Sequence, residues 1–402
     1  MVPKLRFKEF CGEWEEKRLG DVIQYFYNGQ TPSRNNLSFW NGNIPWVSSG
    51  ELNYNTIKYT NEYITEDGKR NAHLKLLPKG TFLIAITGLE APGTRGSCAF
   101  LGIDATTNQS CMALVPYENK LNSKFLFQWY MKIGEHYGIK YTQGTKQQSY
   151  NMDLLKRLPI ILPDSLYEQT KIADFLSTVD DKIQNQQDKI THLENIKKGF
   201  MQKIFSRKIR FKDDGGEEFP EWEEKKLGDI VEVKSGKSPN GLLDSKGEIP
   251  FFKVEQLNNS IKYQEKTPYY IKKQDENIIK LGSIIFPKRG AAILLNKIRI
   301  LKQDSFMDTN LMTLTIKNNN YYNEFIYYKI LVDDLSKIAD TTSIPQINNK
   351  HIEPYKIKVP SLPEQTKIAD FLSLFDEKIY IEKQTLEHLK ELKKGLLQQM
   401  FV

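Results

Sequence analysis

Two stretches of the chain carry apolar residues at alternating spacings of four and three. The first is Ile172, Leu176, Val179, Ile183, then Ile190, Leu193, Phe200 and Ile204; the second is Ile368, Leu372, Phe375, Ile379, Leu386, Leu389, Leu396 and Met400. That is the period of a helix with one apolar stripe, the seam of a coiled coil. Gln186 and Glu382 interrupt the stripe at one shared position and Lys197 and Lys393 at another, so the seam is expected to shift toward Ile196 and Leu392. Each stretch opens with Ser-x-x-Glu, at Ser165 and Glu168 and again at Ser361 and Glu364. This is the pattern of a capping box, in which hydroxyl and carboxylate satisfy free amides reciprocally. Pro363 then falls in the first turn, where a missing amide proton costs little. A helix from Leu166 to Phe205 would be roughly 60 Å long, and a helix with a single apolar stripe needs a partner.

The partner is supplied by a repeat. EQTKIADFLS occurs at Glu168 to Ser177 and again at Glu364 to Ser373, and EWEEKRLGDV at Glu13 to Val22 returns as EWEEKKLGDI at Glu221 to Ile230. Arg6 and Arg210 each open an RFK tripeptide before the second motif. A pseudo-twofold relation between the copies predicts that the long helices pair antiparallel, with a globular domain near either end. Between the matching ends the halves resemble each other only at isolated points. Ile44-Pro45-Trp46 echoes Ile249-Pro250-Phe251, Pro78-Lys79-Gly80 echoes Lys280-Leu281-Gly282, and Asn108 is matched to Asn310. A shared frame thus holds two divergent interiors.

Those interiors alternate short apolar runs with turn signals. Strands are predicted at Phe82 to Thr87, Met112 to Val115, Leu158 to Leu162, Ser283 to Phe286, Leu311 to Ile316 and Ile357 to Val359, and helices at Ser123 to Tyr137 and Glu324 to Ser336. The expected class is α+β: two pseudo-repeated domains, 1–163 and 207–360, each followed by a long helical segment, 164–206 and 361–402.

Composition changes this picture little. With 39% hydrophobic and 27% charged residues the chain of 402 residues should fold rather than stay disordered. The excess of 57 Lys and Arg over 50 Asp and Glu leans mildly toward an anionic partner. The first twenty residues are densely charged and offer no signal-peptide core, and no stretch is apolar enough to span a bilayer. Three cysteines, Cys11, Cys98 and Cys111, form no C-x-x-C pair, which fits reduced thiols in a cytoplasmic protein.

Catalytic motifs fail on inspection. Gly236-Lys237-Ser238 resembles the tail of a phosphate-binding loop, but Val231 stands where that motif requires glycine and Pro239 follows at once, so it reads as a turn, like Gly29-Gln30-Thr31-Pro32 in the first half. Pro163-Asp164 with Glu168 and Lys171 superficially resembles a nuclease cluster, yet Glu168 is better explained as the capping-box acid. No glycine-rich nucleotide or S-adenosylmethionine turn is present, and His192 and His388 sit at equivalent helical positions without ligand spacing. No catalytic, cofactor or metal residue is therefore assigned.

Nucleic-acid chemistry is diffuse but present. Lys272, Lys273, Lys288 and Arg289 belong to a basic run in the second half, Arg95 lies in the corresponding Gly88 to Gly96 loop, and Lys146, Gln147 and Gln148 add cationic and amide groups suited to phosphates or base edges. Each such run taken singly also fits a solvated surface loop.

On the Gly29 and Gly236 turns, Ile44-Pro45-Trp46, the Gly144-Thr145 segment, and above all Pro163 onward through EQTKIADFLS to Lys197-Lys198-Gly199, the whole chain resembles the specificity subunits of type I restriction-modification systems. The second half carries Thr341-Thr342-Ser343-Ile344-Pro345 in place of Gly144-Thr145. The resemblance implies a non-catalytic subunit in which each domain recognises part of a bipartite, asymmetric target in double-stranded DNA. It further implies that the helices bind two methyltransferase subunits and that motor-nuclease subunits join the assembly. S-adenosylmethionine, ATP and Mg²⁺ would serve those partners and not this chain. The competing classes are a single-chain methyltransferase or nuclease, and a coiled-coil scaffold with binding heads.

Overall fold

A computed structural model describes residues 1–91, 93–142, 148–238, 241, 243–244, 246–272, 278–340 and 344–402. The chain forms two compact units, one of Met1–Gln187 with Thr385–Val402 and the other of Asp188–Gln384. Each unit therefore contains part of both long helices, which run Leu166–Phe205 and Leu362–Met400.

In unit 1 the strands in chain order are β1 (Glu15–Arg18), β2 (Ile23–Asn28), β3 (Trp40–Val47), β4 (Asn55–Ile57), β5 (Glu62–Ile64), β6 (Phe82–Ala85), β7 (Cys98–Leu101), β8 (Thr106–Thr107), β9 (Cys111–Pro116) and β10 (Pro159–Leu162). They make a five-stranded sheet in the order β2-β9-β6-β7-β4, a three-stranded sheet β5-β3-β8 and the pair β1-β10. β6 is buried along its whole length, which is why it reads as an unbroken apolar run rather than an alternation. The helix Ser123–Lys140 packs here, with Phe127 and Tyr130 edge-on to the Phe82 ring. It starts where Asn122 caps the amides of Lys124 and Phe125, so an asparagine after a short turn fixes its first residue.

Unit 2 repeats this topology strand for strand. β11 (Glu223–Lys226), β12 (Val231–Ser235), β13 (Ile249–Phe252), β14 (Tyr263–Gln264), β15 (Tyr270–Ile271), β16 (Ile284–Pro287), β17 (Arg299–Leu301), β18 (Phe306–Met307), β19 (Leu311–Ile316) and β20 (Lys356–Val359) give the orders β12-β19-β16-β17-β14, β15-β13-β18 and β11-β20. Its core helix is shorter than the sequence suggests. It spans Asn323–Asp333 and breaks at Asp334, whose φ of 64° cannot continue a right-handed helix, before a 3-10 turn at Leu335–Ile338. The strand register also corrects one sequence match. Met112 and Met312 occupy the same place beside β6 and β16, which aligns Asn108 with Asp308 and not with Asn310. Both Asn108 and Asp308 donate their amide to the end of β3 or β13 and accept, through the side chain, from the amide two residues on.

The α+β class with paired long helices is what the structure has, and the pairing is antiparallel within each unit. In unit 1, Ile172, Ala173 and Leu176 share a core with Leu397, Met400 and Phe401, while Asp180 meets Lys393. In unit 2, Lys189 meets Glu382, Lys197 meets Asp376, and Phe200 packs on Phe371 and Phe375. Ile172, Leu176, Val179, Ile190, Leu193, Ile368, Leu372, Ile379 and Leu386 are buried; Ile183, Phe375 and Leu389 are half-buried. The anticipated shift of the seam toward Leu392 does not occur. Leu392 is 54% exposed, whereas Lys393 is 5% exposed. The lysine stays inside because Asp180, itself held by Gln128 at 2.7 Å, offers it a carboxylate. The equivalent Lys197 is matched by Asp376, which also accepts from the Tyr328 hydroxyl.

The capping-box reading is corrected as well. Ser165 does accept the Glu168 amide at 3.2 Å, but the Glu168 carboxylate turns away and takes both Nε and Nη2 of Arg6, at 2.7 and 2.8 Å, together with the Trp14 indole at 3.2 Å. Glu364 does the same with Arg210 at 3.3 and 3.0 Å, and the buried Ser361 hydroxyl has no partner among the described residues. A buried carboxylate gains more from a two-point guanidinium bond than from one backbone amide. The next residue completes the frame. Gln169 and Gln365, both buried, each accept one amide (Asn122 or Tyr322) and donate to two carbonyls (Lys120 and Pro163, or Asn320 and Pro360).

Candidate nucleic-acid interface

Strand register gathers one set of loops at one end of each five-stranded sheet. In unit 1, Asn28 faces Met112 and Ala85 faces Cys111, so the segments 29–39, 86–97 and 108–110 leave from the same end. A bridge between Thr87 and Ser149, with the Tyr150 amide bonded to Ile86, brings 148–150 to it. In unit 2, Ser235 faces Met312 and Pro287 faces Leu311, while Gly290 and Lys288 bond to Pro345 and Ile347. Segments that the sequence singles out separately thus become neighbours in each unit.

The turns after β2 and β12 are held by backbone contact. A side chain on Gly29 would overlap the carbonyl of Thr107, and one on Gly236 that of Asp308, so only glycine lets the strands pass. The amides of Gly236 and Lys237 are already bonded to the carbonyls of Leu311 and Met307, so neither is offered to a phosphate, in keeping with the turn reading. Asp164, Glu168 and Lys171 do not converge either; their partners are Lys17, Arg6 and Glu9 respectively. No cluster of three or more metal-ligating side chains occurs among the described residues, and His192 and His388 are exposed.

Of the residues nominated for DNA contact, Lys146, Gln147 and Lys273 lie outside the described residues. Arg95 is half-buried and donates from Nε to Leu89 at 2.8 Å and from Nη2 to Glu90 at 2.9 Å, so its guanidinium braces the 88–96 loop from within. Gly138 makes room for it, since a Cβ there would strike the Arg95 side chain. Gln148 is tied to the same loop, its amide donating to Glu90 at 2.9 Å and its carbonyl accepting from Leu89 at 3.1 Å. Lys272 is exposed, 3.8 Å from the Asp244 carboxylate. Lys288 is half-buried and burial pulls its pKa below the usual lysine value, partly offset by Asp308; Arg289 beside it is exposed.

Sequence reasoning missed one cation of this region that stacks on aromatic rings. Arg34, in the segment between β2 and β3, lies 3.7 Å over the Trp40 ring and 5.2 Å from that of Trp46. The two indoles stand edge to face at 5.2 Å, and their N–H groups bond to Ser33 at 3.1 Å and Gln30 at 3.0 Å. Glu62 grips the guanidinium through both Nη atoms, one at 2.9 Å, and each group strengthens the other's charged form: Arg34 is raised and Glu62 lowered from its ordinary pKa. Thr31 in the same turn donates to Gln109, which places this cluster beside the 108–110 loop. Two tryptophans on the strand that follows a turn holding an arginine were the available signal.

Comparison with known proteins bears on the whole chain. The family model described as type I restriction modification DNA specificity domain matches it twice, over residues 12–195 and 220–391. A type I restriction enzyme specificity subunit, MjaIX of Methanocaldococcus jannaschii, is 26% identical over 406 aligned residues, covering 96% of this chain and 92% of its own. The EcoR124I/EcoR124II specificity subunit of Escherichia coli is 30% identical over 178 residues, 44% of this chain and 43% of that one. In fold, a crystal structure of a type I S subunit from M. genitalium aligns with a TM-score of 0.61 at 20% identity, covering 100% of this chain and 99% of its own.

Proposed function

Since the chain belongs to the type I restriction-modification DNA specificity family, we propose that it is the subunit that chooses the target of such a complex, reading a bipartite, asymmetric sequence in double-stranded DNA. Residues 1–163 and 207–360 act as the two recognition domains, and 164–206 and 361–402 as helical spacers. The observation that carries this is the combination of one topology used twice, fixed by the same arginine-glutamate and glutamine contacts, with unlike loops at the same end of the sheet. A fixed frame with variable loops is what an assembly with interchangeable targets requires.

In this reading the long helices bind two methyltransferase subunits, and motor-nuclease subunits complete the complex in the cytoplasm. Leu374 and Ile381, one heptad apart and both more than half exposed on the second long helix, support such docking. S-adenosylmethionine, ATP and Mg²⁺ are used by those partners. The single-chain methyltransferase or nuclease is disfavoured by the family and by the structural roles of the residues that mimic catalytic motifs. The test is to express the chain with its methyltransferase and map methylated bases by long-read sequencing. A two-part motif is expected, with two methyltransferase subunits per chain by mass measurement. Methylation without sequence preference would overturn the proposal.

A further inference from the structure

We infer that Arg34 reads a guanine in the half-site of unit 1, using its free guanidinium edge on the major-groove face of the base; this rests on the reading of unit 1 as a DNA-recognition domain.

Glu62 occupies the end of the guanidinium, one carboxylate oxygen to each Nη. That leaves the Nε–H and the adjacent Nη–H as a second fork, and among the described residues no protein acceptor is bonded to Nε. A fork of that spacing matches O6 and N7 of guanine. The side chain is 53% exposed although its plane is fixed by Trp40 beneath and Glu62 at its tip. An arginine immobilised in this way has already lost its rotamer freedom and can discriminate by geometry. An arginine with only a phosphate to find would need no such fixing, and Glu62 cancels much of the charge that would attract one. The place is right as well, because Thr31 and Gln109 join this cluster to the loops at the end of the sheet. A cavity of about 570 Å³ lies beside the guanidinium, lined by Trp40, Asn41, Asn61, Glu62 and Tyr63 among others. Beside the three-stranded sheet of unit 2, Lys253 lies instead over Tyr269 at 3.7 Å, a cation without a fork, in keeping with a different half-site.

The experiment uses the complex of the full chain with its methyltransferase, and maps methylated motifs and relative rates for the wild type and for Arg34→Ala, Arg34→Lys and Glu62→Gln. The wild type is expected to show a G·C pair at one position of the half-site assigned to unit 1. Arg34→Ala and Arg34→Lys should both make that position degenerate, with a loss of discrimination of about ten- to a hundred-fold, while the other half-site keeps its bases. Glu62→Gln should weaken discrimination at the same position by a smaller factor. Arg34→Lys keeps the charge and the stacked stem, so full discrimination in that variant would overturn the inference. So would an unchanged motif in Arg34→Ala, or a uniform loss across all sequences, the mark of a phosphate contact. A wild-type complex with no bipartite motif would instead overturn the function from which the inference starts.

Discussion

At the scale of the residue, two kinds of position govern each unit: glycines with no room for a side chain and buried acids with one cationic partner. Gly29→Ala and Gly236→Ala should each destabilise the unit that contains them by about 1–3 kcal/mol, because the new methyl group meets a carbonyl on a neighbouring strand. Thermal melts of the single variants check this. Glu168→Ala should cost about 3 kcal/mol by leaving the largely buried Arg6 without a carboxylate, and Glu364→Ala less, because Arg210 keeps a second carboxylate in Glu221. The first should cost about 1 kcal/mol more than the second, also because Trp14 donates to Glu168 whereas the Trp222 indole has no partner among the described residues. Urea midpoints of the two variants decide it, and equal values would overturn that ordering.

Elements are held in register by pairs that an apolar seam alone would not supply. Lys393 and Lys197 enter the helix interface although burial pulls both below the usual lysine pKa, a pull that Asp180 and Asp376 oppose. Lys393→Met should cost about 2 kcal/mol, less than the roughly 3–5 of a fully buried pair, because Asp180 keeps 31% of its surface exposed. Adding Asp180→Leu to that variant should recover at least about 1 kcal/mol. Denaturant melts of the four proteins in this cycle measure the recovery; additive losses would mean that the two residues act separately. The helical period was legible in the sequence because it depends on composition at every third or fourth residue. The fate of Lys197 and Lys393 was not, because it depends on Asp376 and Asp180, which only the antiparallel pairing brings opposite.

For the molecule as a whole, target choice and target spacing should be separable. Swapping residues 1–163 for the equivalent domain of a relative should change one half of the methylated motif and leave the other intact; a change in both halves would mean that the domains do not read independently. Inserting four residues after Gln186 adds about 6 Å of helical rise while keeping most of the seam in phase, and should lengthen the unread gap between half-sites by about one base pair. Motif mapping before and after insertion reads this directly. An unchanged gap with full activity would show that the helix does not set the spacing, and altered half-site bases would show that it takes part in reading. The purified chain alone should neither methylate nor cut DNA, which an assay with labelled S-adenosylmethionine and supercoiled plasmid would check.

The sequence by itself determined the repeat, the two long helices with their ends, and the α+β alternation between them, because these follow from periodicity and near-identity along the chain. It also marked the segments around Gly88, Gln148, Lys288 and Ile344, but as unconnected surface runs. Only the tertiary structure decided that those segments meet, since strand register and not sequence distance places Thr87 beside Ser149 and Arg289 beside Gln346. It also moved Glu168 from a local cap to an anchor for Arg6, 162 residues away, and set Arg34 against Trp40 and Glu62. A charged group takes the partner that offers it the most compensation on burial, and that partner is known only once the chain has closed on itself.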